Sequence, residues 1–295
     1  MFSNFILCLT GLFVSEGKAL ANEKNLSIYA YSHSSGDEKK LKIMLDKSAL
    51  NPENIICGIG GFEENGDYNN WDCKLFFDNH KHIGAIESDQ VQLGPKNATA
   101  AIQKLKQDNK YYKIIDGISL DCEPFYEKNI NNVEFYIEFM KKIEDKKTSI
   151  YINPKNLVLL EKENKELLHK FMKTLKNSQG KILLPAYSYV RDAPKFEDIK
   201  NAISICHKYN VKYELILDTK EYSKLHTRIK QLKTIPGVNF SSFTIFSLEI
   251  DDDNLKSAPA DATFGTRPYG SVKQQYKSFY SSMSIFNKLL NSKQK

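Results

Sequence analysis

Short apolar runs alternate along the chain with stretches whose apolar residues recur every three or four positions. The runs are Ser27–Ser32, Asn54–Gly60, His82–Glu87, Ile114–Asp121, Ser149–Asn153, Lys181–Tyr187, Tyr213–Leu217 and Ser242–Leu248. Nearly continuous apolar runs of this length are how parallel strands covered on both faces read, and the 3.6-residue period between them is that of crossover helices. The pattern predicts helices over Glu38–Leu50, Asn70–Asp78, Asn97–Asp108, Asn131–Glu144, Glu163–Leu175, Phe196–Tyr209, Lys220–Leu232 and Val272–Leu290. Eight βα units in roughly 270 residues is the arithmetic of a single-domain α/β protein with the (β/α)8 (TIM) barrel fold, for which about 250 residues is typical. A doubly wound open sheet fits less well. It has fewer strands, and Gly58-Ile-Gly-Gly61 lies at a strand end without the helix that follows a dinucleotide-binding turn.

The N-terminal segment stands outside this pattern. Phe5–Val14 is apolar for too few residues to span a bilayer, and Ala19-Leu20-Ala21 follows with the small-x-small spacing of a signal-peptidase site. Residues 1–21 are therefore expected to be a secretory signal cut after Ala21. The barrel occupies 22–295, and the mature chain is secreted or periplasmic with no stable membrane insertion. Forty-two Lys and Arg against thirty-six Asp and Glu give a net charge of +6. Only Arg191, Arg228 and Arg267 carry the planar guanidinium that nucleic-acid readers favour, so no nucleic-acid partner is expected. Export permits disulfides among Cys57, Cys73, Cys122 and Cys206, whose three possible pairings the spacing does not rank; buried free thiols are the expected state. A monomer is expected.

The sharpest local chemistry is Asp116-Gly-Ile-Ser-Leu-Asp-Cys-Glu-Pro124, a strand that ends on acids. Side chains alternate along a strand, so Ser119, Asp121 and Glu123 share one face and Leu120 and Cys122 the other. With Leu120 and Cys122 against the helices, both carboxylates point into the barrel near its C-terminal mouth, where this fold carries its active sites. Two such acids cannot ionise independently, and a carboxyl kept protonated at neutral pH is a general acid of the kind that glycosidic cleavage needs. The same acids would also suit Mg2+ or Ca2+. However, His80 and His82, the nearest candidate co-ligands, start the third strand at the opposite end of the barrel, and no metal or other cofactor is expected.

The octapeptide Asp116–Glu123 resembles the D-G-x-D-x-D-x-E signature of glycoside hydrolase family 18, the chitinases and endo-β-N-acetylglucosaminidases, with Ser119 in place of the first interior Asp. Gly58-Ile-Gly-Gly61 resembles the family's S-x-G-G strand end, although it falls on the second strand. Pro185-Ala-Tyr187-Ser188 stands at its M-x-Y-D, and Phe246 stands where the family has a floor tryptophan. The resemblance implies a substrate-assisted retaining mechanism on an oligosaccharide or polysaccharide containing β-linked N-acetylglucosamine. Glu123 is then the general acid/base, Asp121 orients the sugar's acetamide, and the Tyr187 hydroxyl bonds its carbonyl. Aromatic rings stack on pyranose faces, so Tyr31, Trp71, Tyr189, Phe246 and Tyr269 are expected to contact substrate together with Ser119. Two alternatives stay open. One is a non-catalytic, lectin-like barrel, consistent with the departures at Ser119, Ser188 and Phe246. The other is a two-carboxylate glycosidase with a partner such as Asp218 or Glu249. A Ser/His/Asp hydrolase is disfavoured because no G-x-S-x-G turn is present.

Overall fold

The computed structural model describes residues 25–29, 45–46, 51–73, 80–187, 193–218, 222–240, 242–246 and 272–291. Eight parallel strands form the barrel: β1 (Asn25–Tyr29), β2 (Asn54–Phe62), β4 (Lys81–Asp89), β5 (Gly117–Glu123), β8 (Lys147–Tyr151), β9 (Lys181–Pro185), β10 (Lys212–Asp218) and β11 (Ser242–Phe246); β3 (Tyr68–Asn70) lies along β2, and β6 (Tyr126–Glu127) and β7 (Ile130–Asn131) form a short antiparallel pair outside the barrel. The ring closes because β1 pairs with β11 on one side and with β2 on the other. Closure leaves no barrel strand with an open edge, the condition a parallel sheet meets by curling on itself. A (β/α)8 barrel is therefore the fold. The proposed signal segment, residues 1–21, lies outside the described residues. No helix among the described residues is long and apolar enough to cross a membrane.

Helices Pro95–Asp108, Val133–Lys142, Lys165–Asn177, Phe196–Tyr209 and Tyr222–Leu232 follow the expected order, and Val272–Asn291 ends the described chain. In that last helix Phe279, Met283 and Phe286 are buried as their spacing requires. Two local expectations are corrected. The first part of the helix expected over Asn70–Asp78 is not helical: Tyr68–Asn70 is an antiparallel strand (β3) returning along β2, 71–73 are irregular, and 74–78 lie outside the described residues. The cause is a tight reversal at Asn65-Gly66-Asp67, where Gly66 adopts φ +82° and the Asn65 side chain accepts from the Asp67 N–H. The second correction is an additional helix, Pro154–Glu163, between β8 and the helix expected at Glu163–Leu175. Asn153 caps it by accepting from the Lys155 N–H, with Pro154 at its first position. Asn164 then caps the next helix by accepting from the Leu167 N–H.

The apolar interior has two parts. The larger lies between strands and helices and contains Leu120 and Cys122; the smaller fills the barrel with Tyr29, Ile56, Ala85, Leu183, Tyr187, Ile216 and Phe246. The lower barrel is polar. Glu214 is fully buried there, takes hydrogen bonds from Ser242 and Thr244, and is paired with Lys181. Burial alone would raise its pKa, but the attraction of Lys181 and the three hydrogen bonds outweigh burial and hold it below the ordinary carboxylate value. A group whose folded pKa is depressed contributes stability that is present above its unfolded pKa and lost as pH falls through the folded one. Lys181→Met leaves Glu214 buried without its counter-charge and is expected to cost about 3–5 kcal/mol at neutral pH. Urea unfolding should show the deficit shrinking as pH falls, from the raised pKa of the unpaired Glu214 in the variant down through the depressed one of the wild type; a deficit independent of pH would contradict this account.

Candidate active site

The pairing of β4 with β5 runs in register through Glu87↔Asp121, Ser88↔Cys122 and Asp89↔Glu123. In-register neighbours on parallel strands point the same way, so Glu87, Asp89, Asp121 and Glu123 form a two-by-two patch on the inner face at the mouth. The orientation of β5 is fixed from outside. Leu120 and Cys122 are buried against the helices, and the pairing with β8 stops at Leu120. Beyond it the Tyr136 hydroxyl takes over, accepting from the Cys122 N–H at 3.0 Å and donating to the Cys122 carbonyl at 2.8 Å. A side chain thus satisfies a buried backbone that would otherwise need a neighbouring strand.

The loops leading away from the patch are held by one residue. Asn132 is fully buried, donates to the carbonyls of Val91 and Pro124, and accepts from the Leu93 N–H. It therefore joins the chain leaving β4 to the chain leaving β5. The Gln90 N–H also donates to the Glu123 carbonyl. Asp116, the first acid of the sequence motif, does not reach the mouth. It immediately precedes β5 and accepts from the His82 N–H, fastening the opposite end of the barrel.

Glu87 and Asp121 are 8% and 9% exposed, and the Tyr29 hydroxyl bridges them at 3.2 Å from Glu87 Oε1 and 3.1 Å from Asp121 Oδ2. Asp121 Oδ1 is buried with no hydrogen-bond partner among the described residues. Burial, then the neighbouring Glu87 charge, raises Asp121 to about 8 against the Tyr29 hydrogen bond. Burial, then Asp121 and Asp89, raises Glu123 to about 8 as well. Burial raises Glu87 to about 7, with Tyr29 opposing it. The patch therefore retains protons at neutral pH, so it can donate one.

Tyr187 completes the inner wall. Its hydroxyl lies 2.6 Å from that of Tyr151, and its ring packs on Phe246, which in turn approaches Tyr29. Phe246 floors this aromatic group. Ser119 is fully buried one layer below Asp121, with no hydrogen-bond partner for its hydroxyl among the described residues. Tyr31, Tyr189 and Tyr269, expected at the mouth, lie outside the described residues, as does Glu249. Asp218 is buried at the end of β10 in register with Phe246. No group of three or more His, Cys, Asp or Glu among the described residues is arranged to hold a metal ion.

Trp71 lies over the inner face of β2, 38% exposed. A bulge between Gly58 and Gly60 breaks the alternation, so Gly58 and Gly61 both face the indole. A Cβ on Gly61 would lie 2.3 Å from the ring, and one on Gly58 would lie 3.1 Å from the ring and 3.6 Å from Glu87 Oε1. These glycines are thus the seat of the indole beside the carboxylates. Cys57 and Cys73 form a disulfide that ties the Trp71 segment to β2, whereas Cys122 and Cys206 are free and buried. The expectation of free thiols fails for the first pair because the hairpin at Asn65–Asp67 brings residue 73 back beside residue 57. Tyr29, Glu87, Asp89 and Tyr151 are the site residues that the sequence reading missed.

No protein-family model and no curated protein matches the chain. Among solved structures, it is similar to a protein described as chitinase A of Streptomyces coelicolor, at a TM-score of 0.55 and 8% identity over 91% of this chain and 99% of the other. It is also similar to a fungal endo-β-N-acetylglucosaminidase of glycosyl hydrolase family 18, at 0.53 and 10% identity over 90% and 98% of the chains. A fungal β-1,4-galactanase follows at 0.52 and 9% identity over 87% and 98%. At such identities the likeness is one of fold.

Trp71 is the only tryptophan in the chain, so its emission reports on this seat alone. Gly61→Ala should displace the indole, shift its emission, and cost about 1–3 kcal/mol of stability by overpacking. An unchanged spectrum would show that the indole does not rest on Gly61.

Proposed function

We propose that the chain is an exported glycoside hydrolase that cleaves glycans containing β-linked N-acetylglucosamine by a substrate-assisted retaining mechanism. The observation that carries this reading is the inward pair Asp121 and Glu123 at the mouth, with Glu123 holding its proton up to about pH 8 through burial and the neighbouring acids. The fold shared with a chitinase and an endo-β-N-acetylglucosaminidase supports it. In the proposed sequence, Glu123 gives its proton to the glycosidic oxygen while the acetamide carbonyl oxygen attacks the anomeric carbon and the leaving sugar departs. Asp121, as an anion, orients the acetamide N–H and offsets the positive charge of the oxazolinium. The Tyr187 hydroxyl, backed by Tyr151, donates to the carbonyl before attack. Glu123 then takes a proton from the water that opens the ring and returns to its starting state. Trp71 offers an apolar ring to a sugar face beside Glu87. Export belongs to the same proposal, supported by the Phe5–Val14 run and by the Cys57–Cys73 bridge, which suits an oxidising compartment.

Asp218, buried on the inner face at the end of β10, favours a second reading in which it is the carboxylate partner of Glu123 in a two-carboxylate glycosidase. The two readings separate on substrate. Replacing the acetamido group by a hydroxyl stops a substrate-assisted enzyme and leaves a two-carboxylate enzyme working.

The test is to incubate the protein with N-acetylglucosamine oligomers, N-glycans and peptidoglycan and to measure new reducing ends. Glu123→Gln is expected to lower kcat by about 10²–10⁴ while substrate still binds. Because the acid must be protonated, wild-type activity should fall as pH rises through about 8. No product from any substrate, with binding retained by both proteins, would leave a sugar-binding barrel in place of an enzyme.

A further inference from the structure

Glu87 takes no part in the steps above, yet it is the carboxylate that the structure ties most directly to Asp121. The two are in register on adjacent strands, and one hydroxyl, that of Tyr29, lies within 3.2 Å of both. A phenol has a single proton to donate and otherwise offers lone pairs. When it donates to one carboxylate, the other meets only lone pairs, which an anion cannot use and a protonated carboxyl can. The arrangement that satisfies both contacts therefore has one carboxyl protonated and one charged. Ser119, at the position where the resemblance implies an acid beneath Asp121, does not supply that partner. Its buried hydroxyl has no hydrogen-bond partner among the described residues.

We propose that Glu87 is a positioning residue that holds, through the Tyr29 hydroxyl, the proton that leaves Asp121 charged. In the state used for catalysis Glu87 donates to the Tyr29 oxygen and Tyr29 donates to Asp121. The reverse state forms when the Glu87 proton passes to the Tyr29 oxygen as the Tyr29 proton passes to Asp121, so each O–H bond broken is replaced and no co-reactant is needed. Among the described residues the titratable groups facing Glu87 are Tyr29 from β1 and Asp121 from β5, and Asp89 on its own strand acts on Asp121 and Glu123 beside it. From β2, Gly58 lies beside the Glu87 carboxylate with the Trp71 ring over it, and neither titrates. The use of the pair in catalysis rests on the glycosidase reading, whereas the sharing of the proton does not.

The experiment has two arms. The first follows the side-chain carboxyl carbons of the whole protein by 13C NMR without substrate, between about pH 4 and pH 10. Glu87 and Asp121 are expected to titrate together over two steps. Asp121→Asn should lower the Glu87 midpoint by about one unit or more, and Glu87→Gln should lower that of Asp121 likewise. Glu87 titrating in the ordinary carboxylate range, unmoved by Asp121→Asn, overturns the proposal, and having two variants protects the result against one that folds poorly. The second arm measures pH–rate profiles. Glu87→Gln should move both limbs of kcat/KM to lower pH by about one unit and lower kcat at neutral pH about tenfold, with KM within about twofold. A fall in kcat with unmoved limbs makes Glu87 merely structural and also overturns the proposal. A shared titration in a protein that cleaves none of the glycans keeps the pair and overturns the glycosidase reading alone.

Discussion

The register between β4 and β5 is the constraint on which the mouth of this barrel depends. Once Gly117 is set opposite Ile83, pairing carries Glu87 to Asp121 and Asp89 to Glu123. A slip of β5 by one residue would send Asp121 and Glu123 into the helical layer and bring Cys122 inside, away from Glu87 and Asp89. Devices on both sides hold the register. Asp116 fastens the strand starts by accepting from the His82 N–H, and Tyr136 holds β5 where β8 stops pairing with it. The acids are thus brought together by backbone geometry against their mutual repulsion; burial raises the pKa values of Glu87, Asp121 and Glu123, and the neighbouring acids add to it at Asp121 and Glu123.

The two ends of the barrel interior treat buried charge in opposite ways. At the bottom, Glu214 has a lysine and two hydroxyls and sits below its ordinary pKa. At the mouth, Asp121 has one phenol to share with Glu87, and one of its oxygens has no partner among the described residues. A satisfied network stiffens the lower barrel, and an under-satisfied one keeps protons available above it. Stability and chemistry are therefore separated along the barrel axis, as the fold's division between its two faces leads one to expect.

The alternation of apolar runs and helical periods was enough to read the barrel, because covered parallel strands leave a strong signal. The hairpin at Tyr68–Asn70 was not read, although Asn65-Gly66 between two apolar stretches is a turn signal. A helix was expected where each βα unit should have one. Pro154–Glu163 was missed for the same reason, despite the Asn153-Pro154 start. Within the site, Asp121 and Glu123 stood out because Asp-Cys-Glu ends an apolar strand. Glu87-Ser-Asp89 ends the preceding strand in the same way and carried an equal signal, which becomes telling only when register places the pairs side by side. Tyr29 and Tyr31 share a strand face, and only the structure shows that Tyr29 meets the acids. The bond between Cys57 and Cys73 followed from a reversal that the sequence reading had not placed.

The patch of Glu87, Asp89, Asp121 and Glu123 has a consequence for what can enter. Its ionisable groups are all acids, so whatever charge their protons leave is of one sign, and no cation among the described residues figures in the environments of Glu87, Asp121 or Glu123. A cleft lined this way focuses a negative potential outward. The mouth thus turns more repellent to anions as pH rises and those protons leave, even though the chain as a whole is cationic.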